Sequence, residues 1–254
     1  MTRLSHQQLA GEDTLFGSFG ALTARSPGAH LVYTQSALAA VFPEWEPLNN
    51  AILFDPPTDA SASVAAAEAD SVFRGVGISS WALWVPSQVP EFGGPDAIGE
   101  VSGMTRDTTT LVMTRELEDR MPSYAGVLRT TVEMAALAGD MPVPAEAVPD
   151  ACATSEIDGW VLVYDEYAVA GAWTYRNGSD VGIYAVGTVP EWRRRGLARA
   201  MMQHVLADAY RHGARTASLQ STPMGAPLYA SLGFRPVGRY EEWVPVKERT
   251  CVSC

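Results

Sequence analysis

The chain has 254 residues, 47% of them hydrophobic and 19% charged, which is enough apolar material for one or two cores and too much for a disordered chain. Its 18 Lys and Arg stand against 29 Asp and Glu, a net charge of −11, whereas a nucleic-acid binder carries a basic face to neutralise phosphates. No apolar run approaches the ~18 residues of a membrane span, and no apolar stretch follows Arg3, so a soluble, cytoplasmic protein is expected.

In chain order, Asn49–Phe54 is a strand candidate, Ser61–Arg74 is Ala-rich and helical, Ser79–Val85 is a strand, and Gly103-Met-Thr-Arg precedes a β-rich run to Met113. Further on, Gly159–Tyr164 and Tyr167–Tyr175 flank the polar turn Asp165-Glu166 as a hairpin. Asn177-Gly-Ser-Asp180 turns the chain into a third run, Val181–Val189, with Ile183, Ala185 and Gly187 facing opposite to Tyr184, Val186 and Thr188. Apolar residues at three- and four-residue spacing from Leu197 to Ala209 predict an amphipathic helix that Gly213 stops. Arg215–Gln220 is a short strand. Thr222-Pro223 supplies an N-cap and a first-turn proline for a helix carrying Leu228, Tyr229 and Leu232, and Phe234–Val246 returns extended.

This order of strands with a crossover helix is that of an α/β (α+β layered) domain. Gly103 and Gly233 close similar element orders about half a chain apart, which suggests a diverged duplication, cut here as residues 1–124 and 125–254. Charge divides along the same cut: −9 up to Tyr124 and −2 from Ala125 onward.

The chemistry is written in Val189-Pro-Glu-Trp-Arg-Arg-Arg-Gly-Leu-Ala-Arg199, where a strand ends, a loop of three arginines and a glycine follows, and a helix begins. Unpaired N–H groups at the helix start, the helix dipole and Gly196 make a cradle for a diphosphate. The alternative is a solvated Arg cluster.

Arg193-x-x-Gly196-x-Ala198 resembles the acyl-CoA-binding motif, Gln/Arg-x-x-Gly-x-Gly/Ala, of the GCN5-related N-acetyltransferase (GNAT) superfamily, and Leu228-Tyr-Ala-Ser-Leu-Gly-Phe234 resembles a second signature of that family. The resemblance covers Gly159–Val244 well and the first half faintly. It implies two GNAT-like domains, each a central mixed β-sheet flanked by helices, with the full cofactor motif only in the second. It further implies that Val186, Gly187 and Thr188 pair with pantetheine of acetyl-CoA. The diphosphate would rest on Arg194, Arg195, Gly196, Leu197, Ala198 and Arg199. Tyr229 matches the tyrosine that protonates the departing thiolate; core packing is its other reading.

Two positions depart from the family pattern. Thr222 stands where many relatives carry a cofactor-binding asparagine, and Thr216-Ala-Ser-Leu-Gln220 lacks the glutamate that many carry, so the general base is unassigned among Glu191, Asp180, Tyr184 and a water relay. The expected activity is acetyl transfer to a small-molecule or peptide amine by direct attack; the alternative is a non-catalytic acyl-CoA-binding or regulatory module. In the first half, Asp55-Pro-Pro-Thr-Asp59 opposes a diphosphate with two acids and a Pro pair, so no cradle is expected there. Trp45, Trp81, Trp84, Trp160, Trp173, Trp192 and Trp243 read as core or as cleft lining. Scattered His6, His30, His204 and His212 suggest no metal site, and Cys152, Cys251 and Cys254 read as reduced and incidental. Partners among nucleic acids or membranes are not expected.

Overall fold

Turn chemistry and apolar periodicity place most elements of the second half where the sequence predicts them. A computed structural model describes residues 6–54, 57–119, 122–151 and 156–246, without the side chains of 6–10. In chain order come α1 (His6–Thr23), β1 (His30–Tyr33), β2 (Ala37–Val41), β3 (Asn50–Leu53), α2 (Asp59–Gly75), β4 (Ala82–Ser87), β5 (Met104–Glu116), β6 (Val127–Thr130), α3 (Val132–Asp140) and β7 (Val143–Pro144). After these come β8 (Ile157–Tyr164), β9 (Tyr167–Asn177), β10 (Asp180–Thr188), α4 (Leu197–Arg211), β11 (Thr216–Ser221), α5 (Ala226–Ser231) and β12 (Arg235–Pro245). The three cysteines and Asp55-Pro56 lie outside the described residues.

The described residues fall into two compact units, and the division is not the one expected at Tyr124. One unit combines the chain up to Ala21 with Val112–Val237; the other combines Leu22–Leu111 with the chain from Gly238. The physical reason is long-range strand pairing: β12 follows the second-half helices in sequence but pairs antiparallel with β4 from Arg239↔Ser87 to Trp243↔Leu83.

In the first unit the strand order is β5-β11-β10-β9-β8-β6, with β7 on β9. β8, β9 and β10 are antiparallel neighbours, and α4 carries the chain over to β11, which runs parallel to β10. α3 buries Ala138 with Val143, Val161 and Ala168 against the strands, and α4 buries Leu197, Met201, Met202, Val205 and Leu206. Such burial supplies about 1.5–3 kcal/mol per large apolar side chain and outweighs the weak intrinsic preference of a helix this short.

In the second unit the order is β1-β2-β3-β4-β12. β1, β2 and β3 are again antiparallel, and α2 carries the chain to the parallel strand β4. The strand pairing of β8-β9-β10-α4-β11 is thus repeated. Ala62, Ala65, Ala66 and Ala69 bring α2 close to Ala37, Ala39, Ala51, Leu83 and Val85, and Phe73 stacks on Trp81 at 5.0 Å. Both units are mixed sheets flanked by helices.

Two local expectations are corrected. Thr222 and Pro223 precede α5 instead of opening it: the Thr222 carbonyl accepts from Gly225 N and Ala226 N at 3.0 and 3.1 Å, which closes a separate turn, and the N-cap is Gly225. The alternation of β10 is also broken. Ala185 takes φ +48°, and the register with β9 shifts between Tyr184 and Gly187, so residues beyond the bulge do not keep the facing of those before it.

Candidate active site

β10 and β11 run parallel only from Asp180↔Thr216 to Gly182↔Ser218. Beyond that point β10 continues to Thr188 and β11 to Ser221 without pairing, so the two strands part. One edge of β10 stays bound to β9 through Gly187↔Gly171 and Thr188↔Ala170, while the edge toward β11 is open. Backbone N–H and C=O groups on an open edge pair with an extended partner. Gly187 also lets α3 approach closely: a Cβ added there would come within 3.0 Å of the Gly139 backbone.

At the end of β10 the Val189 amide donates to Val169 O at 3.0 Å, and a short 3-10 turn, Pro190–Trp192, redirects the chain. Arg193 Nε donates back to Thr188 O at 2.8 Å, fixing the loop to the strand. Arg194 and Gly196 then take left-handed backbone, φ +64° and +79°. Such a loop turns successive N–H groups toward one concavity, an anion-binding nest. The first backbone bond of α4 runs from Ala200 N to Gly196 O at 3.0 Å, so the amides of Leu197, Ala198 and Arg199 lack intrahelical acceptors. Arg199 reaches across to Ser231 of α5.

Between the end of β10, this loop, and α5 with the turn that leads to it through Met224 lies a cleft of about 600 Å³. Val186, Gly187, Thr188, Arg194, Gly196, Leu197, Ala198, Arg199 and Tyr229 line it, so the structure brings these sequence-nominated residues together. Arg195 and Thr222 are not among the lining residues. The Arg195 guanidinium lies over the Trp192 ring at 4.9 Å, and Thr222 is exposed beside Gly225 N. Trp192, Arg193, Met224, Gly225 and Leu228 complete the lining. The first two were visible inside the Arg-rich motif; Met224 and Gly225 belong to the turn that replaces the expected first turn of α5.

Tyr229 is buried, stands edge-on to Phe234 at 6.0 Å, and has its phenol pushed up to about 12 by burial. It therefore stays protonated through the neutral range. The candidate bases fare differently. Asp180 is buried, accepting from Thr216 Oγ1 at 2.6 Å and Ser218 Oγ at 2.7 Å. Tyr184 stacks on Trp173 at 4.3 Å, and burial raises its pKa. Glu191 is exposed and does not line the cleft.

A family model described as an acetyltransferase (GNAT) domain matches residues 156–236. Those residues form a GNAT domain. Among solved structures, a GCN5-related N-acetyltransferase from Kribbella flavida aligns over 93% of this chain and 96% of its own at 18% identity, TM-score 0.64. A protein of the GNAT family from Novosphingobium aromaticivorans aligns over 92% of this chain and 97% of its own at 19% identity, TM-score 0.54. A tandem GNAT protein from the clavulanic acid biosynthesis pathway aligns over 86% and 83% at 15% identity, TM-score 0.52. At these identities the likeness is one of fold. No curated protein matches the chain.

An acyl-CoA molecule fits the cleft of the GNAT domain on three counts: an open strand edge for its amides, a nest with a helix start for its diphosphate, and a neutral phenol in the wall. The second unit differs at the corresponding helix start. Thr58 caps the Ser61 amide and Ser61 returns the bond to Thr58 N, while Asp59 accepts from Gly99 N at 2.8 Å. That helix start is capped by the chain's own oxygens, with a carboxylate in its first turn. Among the described residues no helix is long and apolar enough to cross a membrane, and no group of three or more His, Cys, Asp or Glu could hold a metal ion.

Proposed function

We propose that this protein is an acyl-CoA-dependent N-acyltransferase that transfers acetyl from acetyl-CoA to a primary amine of a small molecule or peptide. The observation that carries this reading is the parting of β10 from β11 beside the left-handed Arg194–Gly196 loop. Acetyl-CoA would supply an activated thioester. Val186, Gly187 and Thr188 would hold its amides on the open edge, and the amides from Arg194 to Arg199 would receive the diphosphate, which fixes the thioester for attack. Arg195 joins this set through its backbone, its side chain being turned to Trp192; Thr222 would contribute through its exposed hydroxyl. Tyr229 would donate its phenolic proton toward the departing sulfur, and a phenol near 12 serves first as a hydrogen-bond donor to developing charge.

The repeated strand pairing supports reading the chain as a tandem, with the self-capped start of α2 marking the copy that does not take the cofactor. The net charge of −11 favours a cationic acceptor over an acidic one.

The test is thiol release from acetyl-CoA over a panel of amines, with acetyl-CoA affinity measured in parallel. Tyr229→Phe keeps the ring against Phe234, so turnover should fall about 100-fold or more while affinity stays nearly the same. Unchanged turnover would remove the acid role. Tight acetyl-CoA binding without release on any amine would make the protein a binding module instead.

A further inference from the structure

The turn before α5 places one side chain that the reaction as described does not use. Thr222 O accepts from Gly225 N at 3.0 Å and from Ala226 N at 3.1 Å, and Gly225 N also approaches Thr222 Oγ1 at 3.4 Å, so the backbone around Met224 is held in a closed turn. Gly225 packs against Tyr229 so closely that an added Cβ would stand 3.0 Å from the ring. Met224 is thereby fixed one residue from a contact with Tyr229, and it lines the cleft together with Gly225, Leu228 and Tyr229.

The described methionines divide by burial. Met113, Met201 and Met202 are buried, Met104 and Met134 pack partly buried against apolar clusters, and Met141 is 52% exposed. Met224 is 80% exposed, more than any other large apolar side chain among the described residues. A thioether is soft and polarisable, and its sulfur reacts with peroxides wherever solvent carries them to it. Met224 is open to dissolved oxidants, yet it belongs to the wall that a bound ligand covers.

We propose that Met224 is an oxidation site through which peroxides regulate acyl-CoA binding. This rests on the acyl-CoA reading above and adds a control to the same cleft. A sulfur lone pair attacks one oxygen of hydrogen peroxide, so that an S–O bond forms as the O–O bond breaks and sulfur gives up two electrons. The other oxygen departs as hydroxide and takes the proton of the transferred hydroxyl to become water, which leaves the sulfoxide. That group is polar where the thioether is apolar, and acyl-CoA entering the cleft must strip water from it. Reduction by methionine sulfoxide reductases returns the original wall, so the control is reversible.

Brief treatment of the whole protein with hydrogen peroxide, followed by dithiothreitol to return cysteine disulfides and sulfenic acids to thiols, leaves methionine sulfoxide in place. Peptide mass mapping should show the gain of one oxygen at Met224 before Met113, Met201 or Met202. Saturating acetyl-CoA during treatment should slow that gain at Met224 and not at Met141. Calorimetric titration should show acetyl-CoA bound about 5- to 150-fold more weakly after treatment, and the reductases should restore it. Met224→Leu has similar volume and no sulfur, so its treated and untreated forms should agree within about two-fold, with Met141 and the cysteines unchanged in both. Oxygen gain at Met224 no faster than at the buried methionines, or a fully oxidised wild type that binds as tightly as before, overturns this inference and leaves the acyl-CoA reading standing. An equal loss in treated Met224→Leu would assign the effect to another residue and overturn it likewise. An untreated wild type that does not bind acetyl-CoA overturns both.

Discussion

At Gly196 the backbone is at φ +79° with no atom within 4 Å of the place a Cβ would take. A side chain there meets no clash, so its cost is the left-handed backbone alone, about 1–2 kcal/mol. Two positions earlier, Arg194 already carries that strain at φ +64°. A strained non-glycine residue beside a helix start is consistent with a loop shaped for a ligand. Gly196→Ala should lower the unfolding free energy by about 1 kcal/mol in denaturant titrations and weaken acetyl-CoA binding, because the amides no longer converge. Gly196→Asn, which tolerates this conformation better, should retain more of both. An Ala variant as stable and as tight as wild type would mean that the left-handed turn does not shape the cradle.

At the scale of elements, β8, β9, β10, α4 and β11 were legible because each is a β-rich run or a helix with apolar residues at three- and four-residue spacing, bounded by a turn signal such as Asn177-Gly178 or Gly213. α1 was not. Its buried positions include Thr14 and Ser18 beside Leu15, Phe19 and Leu22, and Gly11, Gly17 and Gly20 lower its helix preference, so neither hydrophobic pattern nor propensity marks it. β2, Ala37–Val41, is buried along its whole length and shows no alternation. The cradle was readable because a diphosphate site is local in sequence. The bulge at Ala185 and the turn that displaces the cap from Thr222 to Gly225 each interrupt the regular pattern of their element, so periodicity does not mark them. The same holds for charge: pairing of β12 with β4 sets Glu242 opposite Trp84, where burial, and then the like charge of Asp107, raise its carboxyl to about 7. Its folded pKa lies above the ordinary carboxylate value, so the folded state favours the neutral form. Stability is lost as pH rises from the ordinary carboxylate range through about 7, by up to about 3 kcal/mol. Glu242→Gln should therefore stabilise the protein at pH 8 and change little at pH 4.5, measured as unfolding free energy at the two pH values. A gain of equal size at both would show that the carboxyl does not titrate in this range.

For the whole molecule, chain order and compact units disagree, and that disagreement predicts how fragments of the chain should behave. A fragment ending at Tyr124 lacks β12, and with it the buried Arg239, Tyr240, Glu241 and Trp243. Arg239 donates to the carbonyls of Glu91, Gly94 and Pro95 and pairs with Glu241 at 2.6 Å, while the Ala97 amide donates to Glu241 Oε1 at 2.8 Å. Removing the strand strips that loop of its partners and opens the apolar layer under α2 to water. A fragment beginning at Ala125 lacks α1, whose Gly11 lies against Ser218 and whose Gly17 lies against the Tyr175 ring, and it lacks β5 beside β11. Each loss exposes several large side chains at about 1.5–3 kcal/mol apiece, against a total stability of about 5–15 kcal/mol. Residues 1–124 and 125–254 expressed separately should each melt without cooperativity and bind an apolar dye. Expressed together they should restore a single cooperative melt and acetyl-CoA binding, read by circular dichroism and titration. The duplication suggested by the repeated strand order would then be one whose halves have exchanged strands and cannot be parted, and a half that melts cooperatively alone at the temperature of the whole chain would refute it.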